Sequence, residues 1–234
     1  MSAYPEGFED KLNITKELYD KCYNETKDEK NNKKLNMINI EVKRTLTPEF
    51  INANPTFASS LEEVLKTFII STDRQEYKSG MSFIGKMVLN SVNNNKFNAF
   101  VILKNIFEDK NIKEIYDNNL QNIENKFKII CKEKRPILYQ YFEKNKIDLI
   151  FLTYWLMTLL SFNFDEKISE YVFKIFLKKK DFDVYIKAVL SILIVLENEI
   201  LSKNNMDVYI LLNSTKIINV DFDKFVENIN KLGL

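Results

Sequence analysis

Glycine and proline punctuate this chain so rarely, four of each in 234 residues, that the many tight turns of a β-sandwich or barrel have nothing to form from. Leu, Ile, Lys and Glu dominate the periodic stretches instead, and Leu, Lys and Glu are among the residues that enter helices most readily. The expected fold class is all-α. Hydrophobic residues make up 45% of the chain, enough for one large core, and no linker rich in Gly, Ser or Pro divides it. A single irregular multi-helix domain is the simplest organisation.

Apolar residues recurring with helical period mark helices in SLEEVLKTFII, where Ser60 and Glu63 have the spacing of a capping box, and in GMSFIGKMVLNSV, KFNAFVILKNIF and IKEIYDNNLQNIENKFKIICKEK. Pro136 ends the last of these and opens PILYQYFEKNK. DLIFLTYWLMTLL, DEKISEYVFKIFLKK, DVYIKAVLSILIVLENEIL, NMDVYILLNST and DFDKFVENINKL follow, several led by an Asp suited to the N-cap. No repeat period emerges, so the fold is not a regular array. Residues 1–35 read as a polar segment, helical only within FEDKLNITKELYDKCY, ahead of a helical domain over residues 36–234.

Much chemistry is excluded. The chain has no histidine, which removes Ser-His-Asp and Cys-His catalysis, imidazole-ligated zinc and the usual general base of neutral pH. Cys22 and Cys131 stand far apart without metal-type spacing, so neither a zinc site nor a disulfide scaffold is expected, and a reducing, cytoplasmic setting fits them. IGKMVLN has no glycine loop before Lys86 and no Ser or Thr after it, so it is not a phosphate-binding loop. No cofactor or metal is expected. With a net charge of +1 there is no general attraction for nucleic acid. MSAYPEGFED lacks the basic-then-apolar pattern of a secretory signal, and the uncharged stretch LIFLTYWLMTLLSFNF is short for a bilayer, so a core helix is expected there and no membrane span.

One stretch remains ambiguous by pattern. INIEVKRTLTPEF alternates like a strand through Ile38, Ile40 and Val42, yet sets Glu41 three residues before Arg44, the spacing of a helical pair. As a helix over 36–44, it puts Ile38, Glu41, Arg44 and Thr45 on one side, and the chain turns out after Thr45 towards Pro48. Arg44 is then either solvated surface or an arginine braced by a carboxylate, and a braced arginine is what phosphoryl transfer uses.

Three blocks in order resemble the TBC domain, the helical domain of GTPase-activating proteins for Rab GTPases. INIEVKRT is similar to the family's I-x-x-D-x-x-R-T, with Glu41 in place of Asp. EYKSGMSFIGKMVL resembles G-Y-x-Q-G-M-x-x-I, keeping Tyr77, Gly80, Met81 and Ile84. KRPILYQYFEKNKIDLIFLTYWLMTLLSFNF is similar to a proline-led helix followed by W-x-x-x-L, here Trp155 and Leu159. The resemblance runs over residues 36–200. The family's opening segment has no counterpart in residues 1–35, so the domain reads as trimmed at its N-terminal side. Ser79 stands where the family has glutamine, and Glu76 where it has glycine.

The resemblance implies a Rab-family small GTPase in its GTP-bound form as partner, with localisation peripheral to endomembranes through that partner. It implies Arg44 as the catalytic arginine finger, and Glu41, Tyr77, Ser79, Gly80 and Met81 as partner-binding residues. Each of these also has a structural reading. Gly80 permits close helix approach, Met81 and Ile84 belong to the core, and Trp155 is simply buried. In the family, a glutamine orients the attacking water; the Ser79 side chain is shorter by about two bond lengths. Two functions therefore stay open: an activator in which the Rab's own glutamine holds the water, and a Rab-binding adaptor without activity. A helical scaffold unrelated to GTPases is the third reading.

Overall fold

The local sequence sets where each helix begins. In the computed structural model, which describes residues 4–28, 32–72, 77–117 and 119–234, every regular element among the described residues is helical. The chain divides into two compact units, Met1–Lys113 and Glu114–Leu234.

The first unit contains α1 (Lys16–Glu25), α2 (Asn32–Thr45), α3 (Pro48–Ala53), α4 (Pro55–Ile70), α5 (Met81–Ser91) and α6 (Lys96–Phe107). Thr15, Thr47 and Asn95 cap α1, α3 and α6 by accepting the backbone N–H of the third helical residue, Leu18, Phe50 and Asn98. The centre of the unit is α4, which packs against α1, α2, α3, α5 and α6. It buries Phe57, Leu61, Val64, Leu65 and Phe68, a spacing that covers more than one helix face, as a central helix requires. Tyr19 donates to Glu63 Oε1 (2.8 Å) and Lys96 donates to Glu63 Oε2 (2.7 Å), so one carboxylate ties α1 and α6 to α4.

Two sequence expectations are corrected in this unit. Ser60 is no cap: α4 starts earlier, with Pro55 at its first turn, and the Ser60 hydroxyl donates back to the Thr56 carbonyl within the helix. Glu63 is accordingly free to reach across to Tyr19 and Lys96. The segment FEDKLNI is not helical, because the Asp10 carboxylate accepts the N–H groups of Leu12 and Ile14 and offers the backbone a turn instead. The helix starts only after Thr15. Close approach of helices falls at Gly85, where a Cβ would lie 3.0 Å from side-chain carbons of both Leu61 and Leu65.

Next in the chain is α7 (Lys110–Tyr116); the second unit holds α8 (Gln121–Lys134), α9 (Pro136–Asn145), α10 (Ile150–Met157), α11 (Glu166–Lys179), α12 (Asp183–Val195), α13 (Glu197–Ser202), α14 (Asn205–Leu212) and α15 (Phe222–Lys231). Its central helix is α12, buried on most sides from Val184 to Leu193 and packed against α8, α11, α13 and α15. Asp165 and Asp221 cap α11 and α15 as expected. The single helix expected over 112–134 is two, because the Asn119 N–H donates to the Glu114 carbonyl (2.8 Å) and closes α7 before α8 begins. The stretch 183–201 is likewise divided at Leu196 into α12 and α13.

Trp155 is fully buried between Phe151 and Phe164, with ring centroids at 4.9 and 4.7 Å and both contacts edge-to-face. Its indole N–H donates to the Leu212 carbonyl at 3.1 Å. The apolar run around it forms the short α10, which stops at Met157; no described helix is long and apolar enough to cross a membrane.

The tight contact at Gly85 gives a stability prediction. Gly85→Val adds an isopropyl group between α5 and α4, where Leu61 and Leu65 leave no room, and should destabilise the protein by about 1–3 kcal/mol. Urea unfolding followed by circular dichroism measures this as a lowered midpoint.

Candidate functional site

Two helix ends meet in the first unit, the C-terminus of α2 and the N-terminus of α5. Leu35, Ile38, Val42 and Leu46 are all buried, at spacings of three and four, and they draw α2 onto the core as a helix. Ile40, the middle member of the strand-like alternation, is 47% exposed, so that alternation is incidental. Lys43 and Arg44 occupy the last turn, where positive charge suits the helix dipole. The chain leaves the helix after Thr45 and enters α3 at Pro48.

This geometry joins Glu41 and Arg44. Glu41 is 6% exposed, and its Oε1 accepts from the Arg44 guanidinium at 2.8 Å, while the Arg44 side chain itself is 69% exposed. The other carboxylate oxygen, Oε2, lies 3.5 Å from the Ser79 hydroxyl, at the outer limit of a hydrogen bond. One buried carboxylate thus faces both the arginine on α2 and the serine of the turn before α5. The guanidinium is held through one terminal nitrogen, Nη1, and the Arg44 side chain is otherwise largely in solvent.

The turn at residues 77–80 is fixed from beneath. Gly80 adopts φ +96°, ψ −22° as the N-cap of α5, a left-handed conformation open to glycine and strained for other residues. The Tyr77 hydroxyl accepts the Ser82 N–H at 3.2 Å, and the Met81 sulfur accepts the Lys78 N–H at 3.4 Å. Burial pushes the Tyr77 phenol up to about 12, with the Glu41 carboxylate adding to the shift and the Ser82 N–H opposing it. Tyr77 therefore stays protonated throughout the physiological range.

A second link between the helices had not been expected. Thr45 donates to the Glu41 carbonyl at 2.9 Å, and its oxygen lies 2.6 Å from that of Ser82. A hydroxyl has one proton, so with Thr45 committed to the carbonyl, Ser82 is the donor between them. Ser82 is wholly buried. Its signal in the sequence is a polar residue inside the otherwise apolar face of MSFIGKMVL.

The six residues named from the sequence therefore gather in one place but differ in what they present. Arg44 and Ser79 are exposed and Tyr77 is half-buried. Glu41, Gly80 and Met81 are buried, which corrects the expectation that they form contact surface: Glu41 braces Arg44, Gly80 sets the turn, and Met81, 1% exposed, packs beneath it. Glu76 lies outside the described residues.

Solved structures share this all-helical fold. The structure superposes on the Chlamydomonas flagellar RabGAP TBC domain with a TM-score of 0.80 and 16% identity, covering 96% of this chain and 76% of that one. It superposes on the Ypt/Rab-GAP domain of Gyp1p with a TM-score of 0.72 and 13% identity, covering 92% and 77%. At these identities the likeness is one of fold. Among curated proteins, none matches this sequence. The profile of the Rab-GTPase-TBC domain family matches residues 7–201, starting ahead of the first block at residue 38. The chain belongs to that family.

The conformation of Gly80 is open to test. Gly80→Ala should cost about 1–2 kcal/mol, because a Cβ clashes with its own backbone in the left-handed region. The loss is read from the urea midpoint, with the dependence on urea unchanged.

Proposed function

We propose that this domain is a GTPase-activating protein for a Rab-type small GTPase, acting on the GTP-bound form by inserting Arg44 in trans as an arginine finger. The observation that carries the reading is the exposed guanidinium braced by a buried carboxylate. An arginine held in this way meets an incoming triphosphate already oriented, and it stabilises the negative charge that grows on the transferring phosphoryl oxygens. Fingers of this kind contribute about 10³ to 10⁵ in rate. Magnesium and nucleotide belong to the partner. The domain works in the cytoplasm and meets endomembranes through that partner.

Water is oriented differently from the family pattern. The Ser79 hydroxyl lies against Glu41 and is shorter than a glutamine amide by about two bond lengths, so the attacking water is held by the Rab's own glutamine. Tyr77 and Ser79 then serve recognition, on the turn that Gly80 sets. The same observation favours a second reading, an adaptor that binds a GTP-loaded Rab without speeding hydrolysis.

Single-turnover GTP hydrolysis over a panel of Rabs separates the two. The activator reading expects acceleration of at least one Rab, loss of about 10³- to 10⁵-fold in Arg44→Ala and Arg44→Lys, and no response from a Rab whose own glutamine is replaced. If the native domain binds a GTP-loaded Rab without accelerating it, and Ser79→Gln gains turnover, the protein is an adaptor.

A further inference from the structure

Exposed apolar side chains occur singly on most protein surfaces, so only their arrangement carries information. On α2, Met37 is 51% exposed and Ile40 is 47% exposed, and they stand three residues apart. Arg44 follows Ile40 by four, so the three side chains form one stripe along the helix. The opposite stripe, Leu35, Ile38, Val42 and Leu46, is the one the core holds. The core therefore gives no reason for Met37 and Ile40 to be apolar.

Nor does the helix. At an exposed helical position Lys, Glu, Gln or Ala serves as well as methionine, and isoleucine loses side-chain freedom there. The neighbours sharpen the point: exposed Asn36 and Asn39 carry no charge, and Glu41 is buried against Arg44 and Ser79. From residue 36 to residue 40 the solvent side of α2 is thus uncharged, with Met37 and Ile40 its apolar members and Lys43 the next exposed charge.

We propose that Met37 and Ile40 form the seat for the GTPase beside the finger, receiving an apolar, uncharged patch of the partner's surface next to its bound triphosphate. This rests on the reading of Arg44 as a finger, and continuity identifies the occupant. Ile40 and Arg44 are separated by about 6 Å of helix rise, and Met37 and Arg44 by about 10 Å. A globular partner that brings a phosphate to the guanidinium covers that distance on the same face. The strip contributes to binding in ground state and transition state alike, whereas Arg44 acts on the transition state.

The test uses the full chain with Rabs loaded with GTP or a non-hydrolysable analogue, measuring Kd, KM and kcat for native protein, Met37→Ser/Ile40→Ser, Met37→Leu/Ile40→Leu, Arg44→Ala and Ile129→Ser. The serine pair should weaken Kd and raise KM by about 10-fold or more, without a matching fall in kcat, and the leucine pair should regain most of the affinity. Ile129, 68% exposed on α8, is an equally apolar control whose change should leave Kd as it was. Melting temperature should hold in the serine pair, since both side chains are on the surface.

Native affinity in the serine pair, or an equal loss in Ile129→Ser, overturns the strip whatever Arg44 does. A shift in monomer–dimer equilibrium with Rab affinity intact would make the strip a self-contact and overturn it too. Unchanged kcat in Arg44→Ala removes the finger, and a loss of affinity in the serine pair then still supports the strip as the docking face. Failure of every Rab to bind native protein overturns both.

Discussion

A carboxylate taken out of water needs partners for both oxygens, and Glu41 is placed where only this site supplies them. It sits near the C-terminal end of α2, which carries the negative pole of the helix, so its position is unfavourable without a cation beside it. Arg44 provides the cation one turn on. The pair is half in solvent, and its direct contribution to stability is at most about 1 kcal/mol. Its value lies elsewhere: an arginine carries about 2 kcal/mol of rotamer entropy, and part of that is already spent before any phosphate arrives. Orientation, and not folding energy, is what the brace supplies.

Orientation of one side chain is useful only if the rest of the site keeps its distance. The hydroxyl pair Thr45–Ser82 stitches the last turn of α2 to the first turn of α5, and Tyr77 caps the same turn from the other side. Both helices also rest on α4, where the missing side chain at Gly85 lets α5 come close to Leu61 and Leu65. Small displacements at that contact therefore reach Ser79 and Arg44 together. Because Ser82 is wholly buried, its hydroxyl has no water to turn to, and the link holds as long as the core does.

Helices were legible wherever one apolar stripe and one polar start coincided, as in KFNAFVILKNIF, whose span is that of α6. They were misjudged where local hydrogen bonding competed. Asp10 captures two N–H groups and delays α1, and the Asn119 N–H closes α7 inside what reads as one continuous period. The capping box at Ser60 and Glu63 failed because spacing records which residues could pair and not which tertiary partner bids for the carboxylate; Tyr19 and Lys96 took it. At the site, residue identity was legible and exposure was not. Met81 and Gly80 belong to the motif that makes the turn, but the turn faces inward on their side, and only packing against α2 and α4 decides that. Ser82 was missed because a serine in a helical first turn looks like ordinary solubility until its burial is known.

The division of labour at this site follows from side-chain length. Glu41 is one methylene longer than the aspartate of the family pattern, and that reach brings its second oxygen to the Ser79 hydroxyl at 3.5 Å. A serine engaged with a carboxylate points its proton inward. It presents an acceptor outward, with neither the amide N–H nor the length of a glutamine. The acid and the serine thus form a matched pair, the longer side chain meeting the shorter one, and together they leave the guanidinium as the one cationic group that the brace aims outward. Under the activator reading proposed above, such a site gains rate by charge stabilisation and leaves the geometry of the water to the other molecule. On the same reading, selectivity falls to the surface around Arg44, where the exposed side of α2 at Met37 and Ile40 is the nearest ground.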